Sequence, residues 1–219
     1  MLYGLILILL FTACSNEAGK EEKKHDENKE LISSESTRVY KIVIDPGHGG
    51  EDPGATGASG QHEKEFTLSL SKKIAALLEQ EAQIQVLMTR EEDVFLSAEE
   101  RFRPKFANEN EADLYISIHG NTFDDPSVSG TASFYYHQNS KAFANTIHQK
   151  VVNATSFKDR GVNKENFFVL KDTNMPAVLL EIGYMTNPDE EQQMLSDNFQ
   201  KEIANSIYEG VIEFLDLSD

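Results

Sequence analysis

Three short runs constrain this chain more than any other feature: IVI ending at Asp45, LYISI leading into His119, and AVLL leading into Glu181. Each is apolar but for Ser117, and each stops at an ionisable side chain. A strand covered on one face alternates apolar with polar residues, whereas a strand covered on both faces is apolar throughout. These runs therefore predict strands buried between two layers. The strand candidates are 40–45 (YKIVID), 84–89 (IQVLMT), 114–119 (LYISIH), 132–136 (ASFYY), 167–170 (FFVL) and 177–182 (AVLLEI). Between them lie helical patterns at 65–80, 98–110, 140–155 and 199–215. In the first of these, Phe66, Leu70, Ile74 and Leu77 recur at helical spacing. Asn187-Pro188 is expected to open a further short helix, with Asn187 as cap and Pro188 in the first turn. Alternation of this kind predicts an α/β layered fold with a mostly parallel central sheet flanked by helices.

The N-terminus has a different character. Residues 1–13 (MLYGLILILLFTA) are nearly all apolar. As a helix they would span about 20 Å, against roughly 30 Å for a bilayer core, so they read as the apolar region of a signal peptide. Cys14, the only cysteine in the chain, follows Leu10-Phe11-Thr12-Ala13. That context resembles the lipobox of bacterial lipoproteins, in which the cysteine is acylated and becomes the new N-terminus. Phe11 is bulkier than the residue usual there, and no Lys or Arg precedes the apolar run. The plain alternative is a free thiol beside an ordinary cleavage site. A lone cysteine permits no internal disulfide, and a lipidated one leaves no thiol for nucleophilic catalysis. After it, the charged stretch to residue 38 has almost nothing to bury and is expected to be a disordered tether, at most about 80 Å long when extended. The expected organisation is a signal peptide over 1–13, a lipidated Cys14 with tether over 14–38, and one folded domain over 39–219. A net charge of −17 would repel nucleic-acid phosphates, so no nucleic-acid partner is expected. The balance suits an extracytoplasmic protein anchored to the membrane through lipid on Cys14. A monomer is expected.

In open α/β sheets, ligands bind at the carboxyl ends of strands. His48 (within Asp45-Pro46-Gly47-His48-Gly49-Gly50), His119 and Glu181 all fall at such ends, and Glu63 sits at the beginning of the first long helix. Two histidines and one glutamate with an open fourth position make a recurring catalytic zinc site. A second glutamate is then free to act on water as a base. The residues alone leave alternatives open. A Gly-rich turn can cradle phosphate, although no Gly-Lys-Ser/Thr follows Gly49-Gly50. His119 could be a satisfied core histidine. Glu181 could pair with Arg90 or Arg101, since a lone carboxylate after four apolar residues is costly to bury. Arg90 and Arg101 are otherwise expected to pack helix against loop. Glu65 reads as first-turn helix electrostatics, and His62 is a substitute for Glu63 as ligand. His137 could line a cleft, while His148 and His25 carry no assigned role. Asn121 could bond substrate or merely turn the chain. The acidic clusters 91–93 and 189–191 read as solvated faces or helix starts.

Five segments taken in order give a more specific indication: 42–54 (IVIDPGHGGEDPG), Glu63-Lys64, Met88-Thr89-Arg90, 116–121 (ISIHGN) and 176–187 (PAVLLEIGYMTN), with Asp159-Arg160-Gly161-Val162 and Phe168-Val169-Leu170 in support. Together they resemble the N-acetylmuramoyl-L-alanine amidase family with the zinc-dependent, amidase-3 type catalytic domain. The match runs from about residue 40 to 215. The resemblance implies a zinc ion held by His48, Glu63 and His119, with Glu181 as the essential base. It implies peptidoglycan as substrate, cut at the amide joining muramic acid to the first L-alanine of the stem peptide. Gly120 departs from the family, which usually has alanine there. The segment between His119 and Glu181 is too short for the long inhibitory helical insertion of some cell-division members, so activity without an activator is expected. A zinc hydrolase of another wall amide, and a non-catalytic wall-binding lipoprotein, are the competing readings.

Overall fold

The computed structural model describes residues 38–217. The expected signal peptide, Cys14 and the expected tether as far as residue 37 lie outside the described residues. In chain order the elements are β1 (Tyr40–Pro46), α1 (Glu63–Leu78), β2 (Ile84–Met88), α2 (Phe102–Glu109), β3 (Leu114–Asn121), β4 (Thr131–Tyr135), α3 (Lys141–Thr155), β5 (Asp159–Lys164), α4 (Phe168–Lys171), β6 (Ala177–Tyr184), α5 (Pro188–Met194) and α6 (Asp197–Leu215). The strands form one six-stranded sheet in the order β2-β1-β3-β6-β4-β5. All neighbours are parallel except β4 and β6, which run antiparallel. The mostly parallel α/β fold is the one the apolar runs predict. Among the described residues no helix is long and apolar enough to cross a membrane.

Side chains alternate between the two faces of a strand, and this period sorts the sheet. Ile42, Ile44, Ile116, Ile118, Val178 and Leu180 point to one face. There they meet Phe66, Leu70, Ile74 and Leu78 of α1, Phe143 and Ile147 of α3, and Ile203 and Ile207 of α6. The opposite face carries Val43, Tyr115, Ala177 and Leu179, packed with Ala107 of α2 and Val169 and Leu170 of α4. The same alternation sends Asp45, Ser117, His119 and Glu181 to this second face. Register aligns them as well: Asp45 pairs with Ser117, and His119 pairs with Glu181. Two short helices cover less of a sheet than three long ones, so this is the face on which a cleft remains.

Two expectations about elements are corrected. The run 167–170 is not a strand: Phe168–Lys171 is a helical turn, whose Val169 and Leu170 are buried against the sheet. The sheet's edge is taken instead by Asp159–Lys164, whose residues are exposed or half-buried. A polar edge strand has no apolar run to announce it, and a short apolar run fits a buried turn as well as a strand. The second helix begins at Phe102 rather than 98, behind Arg101 in a left-handed conformation (φ 55°). The cap at Asn187 is as expected: its side-chain oxygen accepts from the N–H groups of Asp189 at 3.1 Å and Glu190 at 3.0 Å.

Candidate metal centre

The loop after β1 builds the first wall of the cleft. Gly47 N–H donates to Ile118 O at 3.0 Å, which keeps the loop beside β3. His48, Gly49 and Gly50 then all take positive φ (60°, 131° and 60°), and the chain doubles back so that Gly49 and Asp52 exchange backbone hydrogen bonds of 2.9 and 3.1 Å. A left-handed conformation is unfavourable for a side chain such as histidine. Two buried arginines hold it in place. Arg103 Nη2 donates to His48 O at 2.7 Å, and Arg90 Nη2 donates to Gly47 O at 2.8 Å. Arg103 Nη1 and Arg90 Nε both reach Pro46 O.

Glu63 enters as the first residue of α1, His119 from β3 and Glu181 from β6. His48 Nε2 lies 3.1 Å from Glu63 Oε2, and His119 Nδ1 lies 2.9 Å from Glu63 Oε1. The two imidazoles meet edge to face, with centroids 5.0 Å apart. Glu63 is fixed from behind by Ala55 N–H at 2.8 Å and Gly120 N–H at 2.9 Å. Burial pushes the Glu63 carboxyl upward, but hydrogen bonds and charge from His119 and His48 outweigh it and hold the group well below the usual range. Burial lowers His48, and Glu63 and Asp52 more than offset this, leaving it raised. Glu181 is different. It is partly exposed, but its Oε2 is enclosed and finds no hydrogen-bond partner among the described residues. Burial, then the charge of Glu63, pushes its carboxyl well up.

Ligand atoms of His48, Glu63 and His119 all lie within 4.8 Å of one another. Two nitrogens and one carboxylate oxygen suit zinc, and three converging donors need a proton or a cation between them. The surrounding glycines leave room only for this arrangement. A Cβ on Gly54 would lie 2.6 Å from Glu63 Oε2 and 2.7 Å from His48 Cδ2, and Gly54 has φ +68°. A Cβ on Gly47 would lie 2.7 Å from both His119 ring nitrogens. The residues present therefore fit a single metal ion. A cleft crosses the cluster. One arm, of about 250 Å³, is largely apolar and is lined by Leu96, Phe167, Val169 and Leu179, with Arg103. The other, of about 430 Å³, is lined by Gly54, Ala55, Gly120, Asn121 and Thr122. His48, Asp52, His119 and Glu181 border both arms.

The four residues singled out in the sequence thus come together. Others do not join them. His62 stands at the N-cap position of α1 without a capping side-chain bond and lies outside the donor cluster, and Glu65 is exposed on the first turn. His137 bonds Lys171 O away from the cleft. Buried His148 joins Ser133 at 2.8 Å to Asp159 at 2.9 Å; Ser133 is fully buried, which rules out a nucleophile. Neither arginine pairs with Glu181: Arg90 packs against the His48 loop, and Arg101 lies over the Phe168 ring and 3.7 Å from Asp172. Asp189, Glu190 and Glu191 do start a helix, but Glu190 and Glu191 are buried rather than solvated. Glu190 accepts from Gly130 N–H and Tyr184 N–H, and Glu191 from Ser59. Three residues escape a reading of sequence alone: Asp45, Arg103 and Asp52. A carboxylate closing a buried strand was the available signal for Asp45, because burial demands a partner. Nothing in the spacing separates Arg103 from Arg101.

Fold and donor set define a class: an α/β domain with a candidate mononuclear metal centre at the carboxyl end of its sheet. A family model described as N-acetylmuramoyl-L-alanine amidase matches residues 42–213. The chain belongs to that family. It is 36% identical over 172 residues to the probable cell wall amidase LytH of Staphylococcus saprophyticus, a match covering 78% of this chain and 56% of LytH. The chain thus spans about half the length of that relative. Two solved structures are also similar. The catalytic domain of CwlV, an N-acetylmuramoyl-L-alanine amidase from Bacillus (Paenibacillus) polymyxa var. colistinus, superposes with a TM-score of 0.80 at 39% identity, covering 82% of this chain and 100% of that one. An N-acetylmuramoyl-L-alanine amidase from Clostridium difficile 630 gives 0.79 at 35% identity, covering 83% and 100%.

Proposed function

We propose that this chain is a zinc-dependent peptidoglycan amidase that hydrolyses the bond between the lactyl group of N-acetylmuramic acid and the L-alanine of the stem peptide. His48, Glu63 and His119 would hold the zinc and Glu181 would serve as general base. The observation that carries the reading is the convergence of two imidazoles and Glu63 beside a second carboxylate whose Oε2 is enclosed and unpartnered. Zinc, when bound, supplies Lewis-acid polarisation of a carbonyl and makes water more acidic.

The chain's own residues do the rest. Asn121, Thr122 and the glycines of the open arm leave space for a bulky substrate. Glu181, tied to no other side chain among the described residues, takes a proton from the attacking water as the new C–O bond forms. It returns that proton to the alanine nitrogen as the C–N bond breaks, so one water is consumed and a free α-amino group appears. Burial, then the charge of Glu63, raises the Glu181 carboxyl, and a cation beside Glu63 would offset the second of these. Cys14 as lipid anchor, residues 14–38 as tether, and action outside the cytoplasm at the cell envelope belong to the same proposal. Their support is the N-terminal sequence and the cell-wall relative.

The test uses the full chain on isolated cell wall, comparing the unsubstituted protein with Glu181→Gln and with a chelator-treated sample. One zinc per chain in both proteins, with wall cleavage only in the unsubstituted, untreated one, is the expected result. Zinc-free protein that cleaves wall, or a Glu181→Gln variant as fast as the parent, overturns the reading.

A further inference from the structure

We infer that Asp52 is a positioning residue for the metal centre, its carboxylate fixing the His48 ring so that Nε2 faces Glu63. The inference rests on the proposed role of His48 as a ligand.

The two histidines are held in different ways. His119 stands within a strand, and the backbone of Gly47 packs so closely against its ring that no Cβ fits between them. His48 sits on a loop, with 24% of its side chain exposed; Gly54 backs the Cδ2 edge of its ring, but the Nδ1 edge has no such glycine wall among the described residues. What it has is Asp52. Asp52 Oδ2 lies 2.9 Å from His48 Nδ1, while Asp52 Oδ1 accepts from Gly54 N–H at 3.1 Å. The carboxylate is therefore pinned at both oxygens. The backbone pairing of Gly49 with Asp52 carries it back to the histidine four residues earlier.

A neutral imidazole has one N–H and one lone pair. An N–H on Nδ1, donated to Asp52, leaves the lone pair on Nε2, the atom 3.1 Å from Glu63 Oε2. Metal-binding histidines need this service, since a carboxylate on the far nitrogen sets both tautomer and ring angle and raises ligand basicity. Among the described residues the Asp52 carboxylate hydrogen-bonds His48 and Gly54, so its route to the donor cluster runs through His48.

The experiment measures zinc affinity of the full chain by competition with a chromophoric chelator, alongside the melting temperature of the metal-free protein. The variants are Asp52→Ala, Asp52→Asn and His48→Ala. Asp52→Ala is expected to lose roughly 10–100-fold in zinc affinity, with the metal-free melting temperature little changed because the side chain is about half exposed. Asp52→Asn keeps an acceptor for the Nδ1 proton and is expected to recover part of the loss. An Asp52→Ala variant that binds zinc within twofold of the parent overturns the assignment. So does one that melts earlier while keeping its affinity, which is the mark of a merely structural residue. If His48→Ala also keeps its zinc, the ligand assignment of His48 fails instead, and the two failures are thereby told apart.

Discussion

Asp45 is fully buried, yet it is charged. It accepts from Thr89 Oγ1 at 2.6 Å, Tyr115 OH at 2.5 Å, Ser117 Oγ at 2.7 Å and Arg103 Nη1 at 2.5 Å. Burial raises its carboxyl, but the Arg103 charge and these hydroxyls together bring it down from 3.8 to about 2. A shift of that size is worth about 2 kcal/mol of stability. Because the folded value is the lower one, this stability is present in full above 3.8 and is lost as pH falls toward 2. Asp45→Asn removes the charge and strands the Arg103 guanidinium, whose side chain is 8% exposed. Losing one partner of a buried pair costs about 3–5 kcal/mol. At about 2–4 °C per kcal/mol for a domain this size, the melting temperature falls by roughly 6–20 °C. Urea unfolding at pH 7 and again at pH 3 measures both effects. The variant's stability is predicted to fall less steeply than the parent's as pH drops through this window. Arg103→Met alone is also destabilising, and the Asp45→Asn, Arg103→Met double variant is predicted to lose about 2 kcal/mol less than the sum of the singles. Strict additivity, or an Asp45→Asn cost below about 1 kcal/mol, refutes the reasoning.

Gly47→Ala drives a methyl into the His119 ring, so metal analysis is predicted to find the zinc lost while circular dichroism finds the fold kept. Gly120→Ala meets only the flexible side chains of Met185 at 2.9 Å and Met194 at 3.0 Å; a cost of about 1 kcal/mol on unfolding and unchanged zinc content are expected. Asn187→Ala uncaps α5 and is predicted to cost about 1 kcal/mol in the same assay. Glu181→Gln is expected to lower the amidase rate on the order of 10²–10⁴-fold while binding zinc at least as well as the parent.

Much of this was legible in the chain because buried strands write themselves as apolar runs. Ile42–Ile44, Leu114–Ile118 and Ala177–Leu180 announce the centre of the sheet, and the ionisable residues after the last two runs, His119 and Glu181, name corners of the site. Period two then fixes what composition cannot: Asp45, His119 and Glu181 share a face because they stand at matching phases in neighbouring strands. Strand β5 was illegible for the converse reason, since an edge strand of polar residues buries too little to leave a pattern. The run 167–170 misled because a four-residue apolar run has no period to measure. The residues that support the site were the least visible. Arg101 precedes α2 in a left-handed conformation while Arg103 lies in its first turn, a difference no spacing marks, and Asp52 reaches His48 through a loop whose three positive φ values no periodicity encodes.

The account's central claim is which bond is cut. Mass spectrometry of isolated peptidoglycan digested by the full chain, with zinc present, reads it directly. Intact stem peptides released with a free L-alanine amino terminus, beside glycan strands bearing bare lactyl carboxylates, are the expected products. Stems still joined to muramic acid, with cleavage between sugars or within the peptide instead, would contradict it.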